Sequence, residues 1–313
     1  MFKALSSSLL SLLAFSVHAN SIISITLDND GIVGTDKDYS NGLFVESHTE
    51  LDHSPVEWLK NDEARYYLGL SLGQKIWTPR EIEREEPQPN DRPYAGLSYL
   101  TFSLTSRTAS QLQSVEMMLG TMGENSFASQ SQRIIHRLIG SPTPNGWAHQ
   151  VEEPWVWGVN YHRNDVLFRS QTQDQQHELT WINRAQIGNF RPEVGSGLLY
   201  RYGPQLADSF ASTQIRYAQP NQTLYASKGQ SGYYYFTGVE IRARYQDITL
   251  SGETPSNTPT MSIQHQQATA IIGLAGYHNS LGIALSFMAK TPDYQEDPHR
   301  MHAAGSLSLF WLL

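Results

Sequence analysis

Gln132 and His136 stand four residues apart in the segment ASQSQRIIHRLI (residues 128–139), so a helix there projects both from one face. A neutral imidazole can take a proton from water near pH 7, and its second ring nitrogen then needs an orienting acceptor. A histidine on such a segment is ordinarily a solvated residue. Its company distinguishes this one: Gln132 lies one turn away, beside a stripe of Ile134, Ile135, Leu138 and Ile139 that is expected to pack on something. Gly146-Trp147-Ala148-His149-Gln150 and the acids Glu152 and Glu153 follow downstream.

Two further constellations carry polar chemistry. Asp28-Asn29-Asp30 is followed by Asp36, Asp38 and Tyr39-Ser40-Asn41-Gly42. Carboxylate and amide oxygens meeting at one corner suit a hard cation such as calcium, although the spacing is not that of an EF-hand loop. The same residue types also make plain turns. The other constellation is Asp91-Arg92-Pro93-Tyr94-Ala95-Gly96, preceded by Arg80 and Arg84 among acids. Arginines there could grip phosphate or steady an oxyanion. Pairing with acids on the surface, where it contributes little, would explain them equally well.

The elements that must position these residues are strands. Reading back from the C-terminus, Leu313, Trp311, Leu309 and Leu307 form one face, and Leu312, Phe310, Ser308, Ser306 and Ala304 the other. The first is apolar and the second turns small and polar, as lipid-facing and lumen-facing positions do. Similar runs lie at 23–28, 42–47, 67–72, 99–104, 112–119, 156–161, 178–187, 197–202, 233–245, 268–277 and 281–288. That makes about twelve strands, and an even number is what a bacterial single-chain barrel requires. The expected fold is all-β: an antiparallel transmembrane β-barrel over residues 20–313, with a short helix at 128–139 in an outer loop. With the N-terminus on the periplasmic side, odd strands run outward, and 31–40, 78–93 and 122–153 become outer loops. Segment 204–231 would be a periplasmic turn of unusual length.

Composition agrees. Lys3, an apolar stretch from Leu9 to Val17 and a small-residue site ending at Ala19 have the layout of a secretory signal peptide over 1–19. Losing Lys3 takes the formal charge from -8 to -9, which argues against nucleic acid as partner. The 313 residues contain no cysteine, so stability must come from backbone pairing and packing. No stretch after the leader approaches the roughly 20 apolar residues of a membrane helix. Sixteen Tyr and seven Trp suit the aromatic girdles of an outer-membrane barrel.

LDND (27–30), DYSNG (38–42), RPYAG (92–96), LG-x-x-G (119–123), Q-x-x-x-H (132–136) and P-x-GW-x-x-Q (144–150) occur in this order. Together they resemble the lipid A 3'-O-deacylase family of outer-membrane barrels. The resemblance implies a twelve-stranded barrel that uses calcium to hydrolyse the 3'-linked acyloxyacyl chain of lipid A in the outer leaflet. By matching motif, His136 would be the general base and Gln132 would help position the site. Asn29 and Asp30 would sit at the metal corner, and Ser40 would stand where the family has a small hydroxyl residue. The family's loop lysine is absent after Lys75, and Arg84 is the nearest match. The family's acid just beyond the histidine is replaced by Ser141-Pro142-Thr143. The partners implied are lipopolysaccharide and the membrane, and no protein partner is evident.

Three other readings fit parts of the pattern. One is an outer-membrane lipase with Ser40 as nucleophile, for which His48 is the only histidine nearby. Another is a non-catalytic channel or structural barrel, and the last is a soluble periplasmic β-protein.

Overall fold

Strict alternation along each strand sends one set of side chains to each face, and a closed wall then separates an outside from a lumen. The computed structural model describes residues 21–30, 38–215, 225, 228–255 and 258–313. The expected leader and most of the first outer loop, including Asp36, lie outside the described residues. The elements in order are β1 (Ser21–Asn29), β2 (Asp38–Leu51), β3 (Arg65–Thr78), β4 (Ala95–Arg107), β5 (Gln111–Met122), α1 (Ala128–Ile139) and β6 (Glu153–Thr172). They continue with β7 (Gln175–Gly188), β8 (Glu193–Gly203), β9 (Ser231–Arg244), a one-turn α2 (Ile248–Ser251), β10 (Gln266–His278), β11 (Leu281–Lys290) and β12 (His302–Leu312). Each strand pairs antiparallel with its sequence neighbours, and β1 closes the barrel on β12 from Ile22↔Leu312 to Asn29↔Gly305. The expected barrel and its strand number are therefore present, with strands longer than the alternation alone marked.

The hydrophobic order is that of a membrane barrel. On β9, Tyr233, Tyr235, Val239 and Ile241 are exposed, while Tyr234, Phe236, Glu240, Arg242 and Arg244 are buried. The C-terminal strand divides as expected, with Ala304, Ser306, Ser308, Phe310 and Leu312 inside.

The lumen is filled. Toward its outer end Arg184 grips Glu240 with two bonds of 2.8 Å, and Arg244 reaches Glu193 (2.6 Å), Asp247 (2.9 Å) and Asp293 (3.1 Å). Lys290 pairs with Asp38 at 2.8 Å, and Arg191 with Asp247 at 2.9 Å. Charges this deep persist because each meets an opposite partner. Toward the periplasm, the long 204–231 connection resolves itself: its described part folds into the barrel. Leu206, Phe210, Ala211 and Ile215 are buried, and Arg107 donates to the carbonyls of Ala207, Asp208 and Phe210, each at 2.9 Å. Arg201 holds the carbonyls of Leu206 and Ser209, each at 2.8 Å. A bare chain can be buried only if its backbone groups find partners, and two inward arginines supply them. The strand count thus survives, and residues 204–215 plug the periplasmic end.

Candidate active site at the outer rim

The Asp-Asn corner is built at the outer ends of β1 and β2. Asn29 pairs in register with Asn41, and the backbone N–H of Asp30 donates to the carbonyl of Ser40 at 3.3 Å. The β2–β3 register shifts between Tyr39 and Asn41. Such a bulge re-aims neighbouring side chains. Tyr39 turns into the lumen, packs on Trp77 (5.8 Å between rings) and donates its hydroxyl to Asp28 at 3.1 Å. Ser40 consequently faces the outer side of the wall, where its hydroxyl meets that of Thr78 at 2.6 Å. Gly42 is required beneath the bulge: a Cβ there would lie 2.0 Å from the Tyr39 hydroxyl oxygen.

The second half of the site is α1, seated on the outside of β3 and β4. A Cβ on Gly96 would lie 2.2 Å from that of Ala128, so only glycine lets the helix approach so closely. The carbonyl of Ser126 accepts from Gln74 (2.8 Å) and Ser98 (2.7 Å), which pins the start of the helix to the wall. The buried face of α1 is Ala128, Gln132 and His136, at 1%, 0% and 5% exposure. This refines the expectation for the isoleucine-leucine stripe: the helix packs on the wall through its polar face, and Ile134, Ile135, Leu138 and Ile139 remain exposed.

Both polar side chains are held by neighbours. Trp147 donates its indole N–H to Gln132 Oε1 at 2.9 Å, and its ring lies 4.9 Å from that of Tyr94. Gln132 Nε2, the amide donor, is buried with no hydrogen-bond partner among the described residues. The acceptor that His136 needed is a backbone group. Gly140 ends the helix in the left-handed conformation (φ 73°), the N–H of Ser141 returns to the His136 carbonyl at 2.9 Å, and the Pro142 carbonyl comes to lie 2.7 Å from His136 Nδ1. A carbonyl only accepts, so Nδ1 carries the proton and Nε2 is the basic nitrogen. The acid missing from the Ser-Pro-Thr segment is replaced by this carbonyl, for which a sequence carries no signal. Glu152, the nearest downstream acid, folds against Gly123 instead, where burial raises its pKa.

Other residues fall elsewhere. Arg84 lies in the outer loop between β3 and β4 with its side chain 48% exposed, 3.9 Å from Glu81. Lys75 on β3 points into the lumen, 4.6 Å from the Tyr99 ring centre. Arg92 is neither a surface pair nor an anion grip: it is buried, bonded to Asp38 and 3.5 Å from Asp293, and so ties the RPYAG motif to the ion network. His48 lies eight residues along β2 from Ser40, about 26 Å for extended chain, and faces the lumen beside Gly69. Ser40 therefore has no histidine from that strand to activate it.

The corner offers a cation the Asp30 carboxylate, buried at 1% exposure, next in sequence to the half-buried Asn29. Among the described residues no group of three or more His, Asp or Glu side chains gathers as a metal nest. The donors fit a hard oxygen-seeking ion in kind, with backbone carbonyls, water or substrate oxygens completing its shell.

Comparison with known proteins matches residues 2–313 to the model of a family described as outer membrane protein LpxR. Among solved structures the fold is similar to LpxR from Salmonella typhimurium, with 17% identity and a TM-score of 0.80, covering 93% of this chain and all of that one. A more distant likeness is to the β domain of the Bordetella autotransporter BrkA, with 8% identity and a TM-score of 0.47 over 94% of this chain and 99% of that one. No curated protein sequence matches the chain.

Proposed function

The chain belongs to the LpxR family of outer-membrane proteins, and on that premise we propose that it is a lipid A 3'-O-deacylase with His136 as general base. The observation that carries the reading is the pairing of His136 Nδ1 with the Pro142 carbonyl on a helix face pressed against the outer rim. A fixed Nδ1–H leaves Nε2 to take a proton from water as that water attacks the ester carbonyl. The same nitrogen then returns the proton to the departing alkoxide, so the ester becomes an acid and an alcohol. Gln132, with its oxygen engaged by Trp147, keeps its amide N–H groups for the water or the carbonyl oxygen. A divalent cation at Asp30 and Asn29 would polarise the ester carbonyl when bound. Ser40, beside that corner, contributes its hydroxyl through the contact with Thr78 and forms no covalent intermediate. Arg84, on the exposed loop, is a candidate for headgroup phosphate.

The outer rim suits this substrate, because lipid A lies in the outer leaflet and need not cross the barrel. A filled lumen counts against the channel alternative. The test is mass spectrometry of lipid A from cells making the wild type or His136→Ala, with calcium or with a chelator. Loss of an acyloxyacyl unit that requires both His136 and calcium is the expected result. Unchanged lipid A with a folded barrel in the outer membrane would overturn the reading.

A further inference from the structure

Helix α1 is sided in three directions. Ala128, Gln132 and His136 face the wall. At about 100° per residue, Arg133 and Arg137 lie roughly 100–140° from that face in one direction, while Ile135, Leu138 and Ile134 lie roughly 60–160° in the other. On that flank Leu138 is 80% exposed, and Ile134 and Ile135 are exposed as well. A water-facing helix would not gather its large aliphatic residues on one open flank and its only charges on another. The loop that carries α1 joins the outer ends of β5 and β6, where Leu119, Trp155 and Trp157 are exposed on the lipid side of the wall. The apolar flank thus continues a surface that already faces hydrocarbon.

We propose that α1 lies along the membrane surface with its aliphatic flank immersed in the outer leaflet and Arg133 and Arg137 at the level of the lipid phosphates. An apolar flank bordered by a cationic one is the design of an interfacial helix, and arginine pairs with phosphate. Immersion sets the depth of the catalytic face. If His136 is the base of a deacylase, as proposed above, the leaflet itself holds it at the boundary where acyl esters meet headgroups.

The chain has no cysteine, so Leu138→Cys, Ile134→Cys, Arg133→Cys and Arg137→Cys each give one site for a nitroxide label. All four positions are exposed, and the heat-dependent gel mobility of the barrel checks that each variant folds. The full-length protein in phosphatidylcholine–phosphatidylglycerol vesicles is read by collision with oxygen, which partitions into lipid, and with a water-soluble nickel chelate. The oxygen-to-nickel accessibility ratio should be several-fold higher at 134 and 138 than at 133 and 137. Equal ratios with free nickel access at all four positions would mean that the helix stands in water. Exclusion of both reagents at 134 and 138 would mean that protein covers the flank. Either result overturns the proposal. Because the readout needs no turnover, a depth pattern as expected beside unaltered lipid A would refute the deacylase reading alone.

Discussion

Trp147 donates its indole N–H to Oε1 of Gln132 at 2.9 Å, and through that bond a turn 15 residues downstream fixes the amide one helical turn from His136. The indole is itself clamped, with the Tyr94 ring packed against it at a 46° tilt and the Tyr94 hydroxyl donating to the carbonyl of Ile82 at 2.8 Å. Two outer loops, from β3–β4 and β5–β6, are thereby locked together over one helix face.

Trp147→Phe should keep the ring packing and strip the donor. A buried amide oxygen left unpaired costs about 1–3 kcal/mol. The expected outcome is faster amide exchange in α1 and slower lipid A deacylation, with the barrel's own melting unchanged. Hydrogen exchange by mass spectrometry, beside a turnover assay, measures both.

Pro142 acts through its backbone oxygen, so Pro142→Ala should retain most activity. Gly140→Val should not. It forces a β-branched residue into a left-handed conformation, costing about 1–2 kcal/mol or more, and it moves the carbonyl away from His136. Comparing kcat and KM for the two variants separates this from general unfolding, because both lie outside the strands.

Arg92→Met should be among the most damaging changes at the outer end. Arg92 lies between Asp38 and Asp293 and also donates to Thr249 at 2.8 Å, so its loss leaves Asp38 with Lys290 alone and Asp293 with one cation fewer. Leaving a buried charge wholly uncompensated costs roughly 3–5 kcal/mol, and the remaining Lys290 and Arg244 contacts keep the loss below that. A lower temperature for the heat-induced gel-mobility shift would register it. Arg92→Lys should rescue only in part, because an ammonium cannot keep the forked geometry.

Asp297 in the last outer loop provides an acid-side probe. Burial pushes its carboxyl up, but hydrogen bonds from His302 and from the His299 backbone outweigh that and hold it below the usual 3.8. A carboxylate depressed in the folded state adds stability above its ordinary pKa, and that stability fades as pH falls through the folded value. Wild type should therefore lose loop stability below about pH 4, whereas Asp297→Asn should be less stable at neutral pH and flatter on the acid side. Thermal melts from pH 3 to 7 compare them.

The plug predicts an electrical result. Wild-type protein should be silent in planar bilayers, and the double change Arg107→Ala with Arg201→Ala should open conducting states. Together these arginines hold five carbonyls of the segment, and hydrogen bonds to a charged group contribute about 1.5–3 kcal/mol each. Conductance already present in wild type would count against a filled lumen.

Much of this protein is legible without coordinates, because a barrel is specified by a period of two. Leu307, Leu309 and Trp311 against Ser306, Ser308 and Phe310 already distinguish lipid side from lumen side, and strand parity alone puts Asn29, Ser40 and His136 at the outer rim. The Gln132–His136 spacing likewise fixes one shared helix face. Contacts that depend on three-dimensional closure are a different matter. The direction of α1 was decided by Gly96 and Ala128, which meet across 32 residues and seat the helix on its polar face. The orienting acceptor of His136 is a backbone carbonyl, and every residue has one, so no residue type could mark it. Arg92 and the 204–215 segment read as surface features because their partners, Asp293 for the one and Arg107 and Arg201 for the other, become neighbours only when β1 closes on β12 and the enclosed space must be filled.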